Sequence, residues 1–329
     1  MNLETLEEFV ESLNRSVNIQ RKKLLFPIME RIKKESYQSD LVFSGMGEDS
    51  AAVMLNNKLD EDLVLITTDA INEAFSNQAP WSAGFSSILV GIEDIYACGG
   101  RPIAASVIIS SDDPKKRKQL LDGVIAATHK FKTPLVRGHT SDHTKNVSVS
   151  ATITGTIKKS DYISAGNANP GDKLMILSDF DGKIAETNKM YWDTVTSKSA
   201  EEIMHKRKSM NLIAESHLAN ASKDISNSGL FGTLLLMASY SDIGAVVRLD
   251  KLRVPQLLMD QNYSIREFSQ MYLTTAFILS VDEKNVDGVL EIADRTNMTA
   301  FIIGSVTDSN EIYVAQEDEK VLLWDLRTF

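Results

Sequence analysis

Apolar residues recur at three- and four-residue steps through the first stretch of the chain. Leu3, Leu6, Phe9, Val10, Leu13 and Val17 form one apolar face, and Leu24, Leu25, Ile28, Met29 and Ile32 a second, with Pro27 near its start. Both patterns predict amphipathic helices within residues 1–38 that pack on the body or on a partner subunit. From residue 40 the texture changes to strands and glycine turns. Leu63 to Ile66 is a short apolar run ending in Thr67-Thr68-Asp69, which predicts a buried strand delivering a carboxylate to its C-terminal edge. Helical spacing returns between Ser82 and Cys98 (Phe85, Ile88, Leu89, Ile92, Ile95, Tyr96), and Gly99-Gly100-Arg101-Pro102 stops that helix. Ile103 to Ile109 reads as a strand, Gln119 to Phe131 as a helix, and Leu135-Val136 as a short strand ending in Gly138. From Val147 to Ile157 every second residue is apolar or small, the pattern of a half-buried strand.

The loop Asn167 to Gly171 places a domain boundary. Beyond it the pattern predicts a buried strand, Lys173 to Leu177, and a polar helical region, Ser199 to Ala219, in which Lys206, Arg207 and Lys208 read as a wet face. An apolar helix follows at Gly229 to Tyr240, then strands at Ala245 to Leu249, Thr275 to Val281 and Ala300 to Val306, with a helix at Val286 to Arg295. Strands and helices mix in both halves, so each half is expected to be an α/β or α+β sandwich.

Composition narrows the classes of partner. The 329 residues leave room for two domains, and 43% hydrophobic with 24% charged residues is ordinary globular composition. A net charge of −10 argues against a nucleic-acid partner. The dense basic run Lys115 to Lys118 reads as a solvated helix start. A lone cysteine, Cys98, excludes an internal disulfide and a cysteine metal cage, and it is expected to be a small buried residue. The acidic, amphipathic N-terminus is unlike a signal peptide, and no apolar run approaches the ~20 residues of a bilayer span. The expectation is a cytoplasmic protein with no membrane contact.

Four aspartates sit where an apolar element meets a loop. Asp49 lies in Gly45-Met46-Gly47-Glu48-Asp49-Ser50, Asp69 ends a strand, Asp94 lies near a helix end, and Asp224 precedes a helix. Hard cations such as magnesium take oxygen ligands, often one or two carboxylates plus substrate phosphates. Taken singly, each aspartate also suits a cap or a turn. Gly45 and Gly47 make a fragment of an anion-cradling loop, but the third glycine of a dinucleotide fingerprint and a Walker Gly-Lys-Thr are both missing, so a turn is the alternative.

Taken in order, these segments resemble a known family: aminoimidazole ribonucleotide synthase, thiamine-monophosphate kinase, selenophosphate synthetase and the hydrogenase maturation factor that dehydrates a carbamoyl group. That family's G-D-D-A-A-V loop is matched by GEDSAAV at 47–53, its T-T-D strand end by Thr67-Thr68-Asp69, and its S-D-I-A-A-M-G-G-R-P helix end by EDIYACGGRP at 93–102. A G-G-D-T or G-G-H-T turn corresponds to Arg137-Gly138-His139-Thr140, P-G-D to Pro170-Gly171-Asp172, and D-I-S-D-G to Asp224-Ile225-Ser226-Asn227-Ser228-Gly229.

The resemblance implies a PurM-like α+β chain. Residues 1–38 would be a helical segment, 39–160 an ATP- and metal-binding α/β domain dimerising through a shared β-barrel, and 168–329 an α/β sandwich domain. It further implies ATP bound between the domains, with Mg2+ held by Asp49, Asp69 and Asp94. Gly45, Gly47 and Ser50 would belong to a mobile loop over the phosphates, Thr67, Thr68, Gly138, His139 and Thr140 would line the nucleotide site, and Asp224 and Asn227 would face the acceptor. The implied function is ATP-dependent phosphorylation or phosphate activation of a small metabolite by a homodimer. The alternative is a non-catalytic ATP-binding dimer that regulates a partner enzyme. Several positions depart from the family pattern. His139 stands where the kinase and purine branches carry aspartate, Asn227 replaces the second aspartate of D-I-S-D-G, and neither residues 1–40 nor the C-terminus supplies the cysteine used by the selenophosphate and hydrogenase branches.

Overall fold

A computed structural model describes residues 5–55 and 61–329. Leu3, part of the first apolar face, lies outside them. The N-terminal pattern becomes three short helices, α1 (Leu6–Arg15), α2 (Val17–Lys23) and α3 (Leu25–Glu35). Thr5 and Glu8 close a reciprocal capping box at the start of α1, which satisfies two otherwise unpaired N–H groups. The apolar face of α1 is buried through Leu6, Phe9, Val10 and Leu13, and Ile19 continues that contact on α2. The body covers these helices from its C-terminal half. Phe9 meets Phe231 edge-on at 5.9 Å, and Trp324 Nε1 donates to Asn14 Oδ1 at 2.7 Å. The second apolar face differs, because α3 has no buried residue.

The next segment builds a six-stranded sheet from β1 (Val42–Ser44), β2 (Ala51–Met54), β3 (Asp62–Ala70), β4 (Arg101–Ser110), β5 (Leu135–Ser141) and β6 (Ser148–Lys158), in the order β1-β2-β3-β6-β4-β5. All neighbours are antiparallel except β4 and β5. Helices α4 (Glu73–Gln78), α5 (Pro80–Ala97) and α6 (Pro114–Phe131) complete this half. α5 and α6 pack at glycine contacts: a Cβ on Gly84 would lie 2.0 Å from Leu120 O, and one on Gly123 2.0 Å from Trp81 O. Only glycine allows that approach.

Two sequence expectations are corrected here. β3 is half-buried, with Leu63, Leu65 and Thr67 turned inward and Ile66 39% exposed, because only one face of the sheet is covered by helices. The strand at Leu135 does not end in a turn at Gly138. It runs on through Arg137, Gly138, His139 and Thr140 to Ser141, in register with β4. Within the single chain, among the described residues, the sheet is open, with β1 and β5 at its edges.

The C-terminal half carries a seven-stranded sheet. Its strands, with a small side sheet, are β7 (Lys173–Ser178), β8 (Lys183–Ala185), β9 (Asn188–Asp193), β10 (Ala221–Asp224), β11 (Gly244–Arg248), β12 (Tyr272–Leu273), β13 (Ala276–Val281), β14 (Thr299–Thr307), β15 (Glu311–Gln316) and β16 (Glu319–Asp325). The large sheet runs β10-β13-β7-β14-β11-β15-β16 and the side sheet β12-β9-β8. Helices α7 (Ala200–Glu215), α8 (Gly229–Ser241), α9 (Gln256–Asp260), α10 (Ile265–Gln270) and α11 (Val286–Arg295) pack around them. The fold is thus a mixed α and β architecture.

The basic run of α7 is a third correction. Lys208 is exposed, but Lys206 and Arg207 are buried. Arg207 is ion-paired with the equally buried Glu93 of α5 and lies over the Phe131 ring at 4.8 Å. Lys206 Nζ meets Asp179 Oδ1 at 3.0 Å and donates to Asn297 O at 2.6 Å. A charge run reads as wet when each charge is taken alone. Here the acids that compensate it lie more than a hundred residues away for Arg207, beyond the reach of local pattern.

Candidate functional site

Three elements deliver carboxylates to one point. The loop between β1 and β2 brings Asp49, the last turn of α5 brings Asp94, and the C-terminal residue of β10 brings Asp224. One oxygen from each lies within 4.8 Å of the others. The glycine loop is shaped for this. Gly47 has φ +115°, and a Cβ there would lie 2.4 Å from the Tyr240 ring, so both backbone and space require glycine. Glu48, next to Asp49, is tied elsewhere. Its carboxylate accepts from Ser44 Oγ and Ser164 Oγ at 2.5 Å and from Ala165 N at 2.7 Å, which pins the loop to the segment joining the two sheets.

Strand period places Thr67 and Asp69 on the same face of β3. Thr67 Oγ1 donates to Asp94 Oδ2 at 2.6 Å. Asp69 lines the cavity beside the cluster, and its charge reaches Asp94. The Asp94 carboxyl is raised well above the usual range, first by burial and then by Asp224, Asp69 and Asp49. Asp224 is pushed up to about 8 by burial and by Asp49, against the opposing pull of Lys223 and Lys22. Burial and mutual repulsion raise Asp94 and Asp224, and a hard divalent cation set among these oxygens would relieve that repulsion. The residues present fit such an ion through Asp49, Asp94 and Asp224, with Asp69 close by.

One side chain complicates that fit. Lys223, buried beside Asp224, pairs its ammonium with Asp49, and Asp224 N donates to the other Asp49 oxygen at 3.2 Å.

The cluster lines a cavity of about 1550 Å³. Ser82, Ser86, Val90 and Asp94, spaced four apart on α5, all line it, so at 1.5 Å per residue the helix carries the cavity wall for about 18 Å. Aromatic rings also line it: Tyr191 and Tyr272 lie 4.8 Å apart on paired strands, and Trp81 stacks on Phe85 at 5.5 Å. Arg21 and Lys22 of α2 and Lys33 of α3 face the same space. Helix α2 is tethered to the segment after Asp224, since Asn18 Nδ2 donates to Asn227 O at 2.9 Å and Lys22 Nζ to Ser226 Oγ at 3.4 Å.

The remaining sequence candidates divide. Gly47, Thr67, Thr68, Asn227 and the four aspartates line the cavity. The Thr68 hydroxyl itself bonds across the sheet to Thr152 Oγ1 at 2.9 Å. Ser50 is fully buried beneath the loop, where its carbonyl accepts from Tyr162 Oη at 3.2 Å, and neither it nor Gly45 lines the cavity. Gly138, His139 and Thr140 are exposed on the edge strand β5, away from the cavity of this single chain. Sequence reasoning passed over Lys223, Lys22 and the Tyr191–Tyr272 pair. Only Lys223 carried a local signal, as a lysine in a short strand beside a candidate ligand. Cys98 is buried, as its neighbours suggested, and burial pushes its thiol up.

Comparison with known proteins agrees with this architecture. Residues 47–157 match the AIR synthase related protein, N-terminal domain, and residues 169–316 the AIR synthase related protein, C-terminal domain. The chain belongs to the AIR synthase related family. An uncharacterised protein of Synechocystis is 30% identical over 282 residues, 86% of this chain and 84% of that protein. A thiamine-monophosphate kinase of Buchnera aphidicola is 24% identical over 315 residues, 90% of this chain and 95% of that protein. Among solved structures, the AaThiL protein complexed with AMPPCP and TMP superposes with a TM-score of 0.66 at 17% identity, covering 89% of this chain and 94% of that one. The T. maritima PurL protein complexed with ATP gives 0.71 at 15% identity over 87% of this chain, which spans about half (47%) of the PurL chain. At such identities these structures establish the shared fold. Among the described residues, no helix is long and apolar enough to cross a membrane.

Proposed function

We propose that this chain is an ATP- and Mg2+-dependent enzyme that phosphorylates, or activates through phosphate, a small-molecule acceptor. The observation that carries this reading is the meeting of Asp49, Asp94 and Asp224 within 4.8 Å, on the wall of a large cavity that also presents lysines and arginine. A kinase relative matched over nearly the whole chain, and a shared fold with a protein captured with AMPPCP and TMP, support it. In this reading residues 39–160 and 168–329 are the working domains, and residues 1–38 supply a basic roof. Two copies would pair through the open face of the first sheet to form the shared barrel.

The chain's own residues would divide the work. Asp49, Asp69 and Asp94 would hold magnesium, with Asp224 oriented toward the acceptor or sharing the ion. Bound magnesium supplies charge neutralisation on the triphosphate, the main requirement of phosphoryl transfer. Lys22 and Arg21 would meet phosphate oxygens from the roof, and the Tyr191–Tyr272 wall would seat an apolar, planar part of one ligand. Thr67 fixes the orientation of Asp94 through its hydrogen bond.

The test is calorimetric binding of Mg–ATP followed by a screen of small metabolites for an ATP-derived product. Mg–ATP binding that Asp94→Asn and Asp69→Asn abolish, with turnover raised by one acceptor class, is the expected result. Binding without turnover under any acceptor would leave the regulatory alternative. Intact ATP together with no Mg–ATP binding would end both.

A further inference from the structure

A lysine has no evident place among carboxylates gathered to hold a divalent ion. Yet the Lys223 side chain is only 5% exposed and its ammonium contacts Asp49, itself 6% exposed. The second Asp49 oxygen is also engaged, by Asp224 N. Both oxygens of one of the three cluster acids are therefore committed to β10. The Asp94 and Asp224 charges lie close enough to act on Lys223 as well.

An ion arriving at Asp49 faces a unit positive charge at contact distance, and two cations sharing one carboxylate repel strongly in so dry a setting. If the ion takes Asp49, the ammonium loses its nearest partner, and a buried charge without a partner is costly. Lys223 lines the cavity, so an anion entering there can take over the ammonium.

We propose that Lys223 is the resident cation of this cluster, which a divalent ion must displace from Asp49 and which then turns to the anionic group that arrives with the ion. This is a positioning role, and it rests on the reading of Asp49, Asp94 and Asp224 as metal ligands. The lysine makes the bare ion a poor ligand and the ion–polyphosphate pair a good one. It follows that one substitution moves two affinities in opposite directions.

The experiment uses the full chain and two probes, Mn2+ alone and Mg–ATP, each measured by calorimetry, with bound Mn2+ counted by electron paramagnetic resonance. Lys223→Gln is expected to bind Mn2+ alone about tenfold more tightly than the parent protein, or about 1.4 kcal/mol. The same variant is expected to bind Mg–ATP about tenfold more weakly. Lys223→Arg, which keeps the charge, stays near the parent in both. Should the glutamine variant not fold, Lys223→Met, which keeps the apolar stem, carries the same expectation. Unchanged Mn2+ affinity in the neutral variant, movement of both affinities in one direction, or tightened Mn2+ binding in the arginine variant would overturn the proposal, while Mg–ATP binding by the parent left the functional reading standing. If the parent and the neutral variant both bound neither probe, the functional reading itself would fall and take the proposal with it.

Discussion

At the scale of single residues, the acid cluster makes two predictions with opposite consequences for binding and for stability. Asp94 is ringed by Asp49, Asp69 and Asp224, and its carboxyl is raised by burial and by their charge. Asp94→Asn keeps the shape and an acceptor oxygen for the Thr67 hydroxyl, and it removes one repelling charge. The variant is expected to melt no lower than the parent protein while losing Mg2+-dependent ATP binding. A melt combined with calorimetry decides the point, and unchanged ATP affinity removes Asp94 from the ligand set.

Asp224 supplies a pH signature at the same scale. With its folded value pushed up to about 8 from an ordinary 3.8, the folded state binds more protons than the unfolded chain between those limits. Its contribution to stability is therefore complete below about pH 4 and is lost as pH rises through about 8. Measured without metal, Asp224→Asn should gain in melting temperature relative to the parent as pH rises from 6 to 9. Added Mg2+ should shrink that gain by accepting the ionised carboxylate. A difference that stays flat across this window would contradict the assigned environment.

At the scale of elements, the tie between α5 and α7 positions the site. Glu93 is the neighbour of Asp94 on α5. Its Oε1 takes both the Arg207 guanidinium and the backbone N–H of Thr275 at 3.0 Å, so one buried carboxylate fixes the helix end against the C-terminal half. Asn211 adds two bonds from α7 to the carbonyls of Gly99 and Gly100, at 2.9 and 2.8 Å. Removing one partner of a buried pair leaves a bare charge, which costs about 3–5 kcal/mol, whereas replacing both can be nearly neutral. Arg207→Met should lower stability by about that amount in denaturant unfolding, and Glu93→Gln with Arg207→Met should recover most of it. A double variant as unstable as the single one would show that Arg207 acts by packing on Phe131 rather than by charge.

The same tie separates what was legible in the sequence from what was not. Strand β6 was readable because it buries every second residue on one face of the sheet, and α5 because its apolar residues keep helical spacing up to the Gly99-Gly100 stop although most of its surface is buried. The ordered motifs named the four aspartates, which lie in the β1–β2 loop, near the end of β3, in the last turn of α5 and at the end of β10. Their convergence was not readable, since residues 49, 94 and 224 share no local period. Nor was the burial of Lys206 and Arg207, because their compensating acids, Asp179 and Glu93, sit on other elements. Strand β5 was read short because Arg137 to Thr140 is exposed along its whole length and shows no alternation. An edge strand with neither face packed carries no period to read.

At the scale of the whole molecule, the open face of the first sheet has consequences for the site. The side facing α5 and α6 is sealed, while Ile66 and Ile108 point from the other side at 39% and 52% exposure, and Val136 on the adjoining edge is 66% exposed. Gly138, His139 and Thr140 lie on that same edge strand and do not line the cavity of their own chain. If they contribute to nucleotide binding, a second copy has to supply the cavity they face, which links the proposed shared barrel to the proposed site. The protein should then sediment at twice its 36.5 kDa mass, and Ile108→Asp, which puts a charge at the centre of the apolar face, should shift it to the monomer with its fold intact. The decisive measurement is the Mg–ATP affinity of that monomer beside His139→Ala in the dimer. Weakened binding in both would make the site a property of two chains. A parent protein that sediments as a monomer and binds Mg–ATP at full strength would return His139 to the role of a solvent-facing edge residue and leave the cavity complete within one chain.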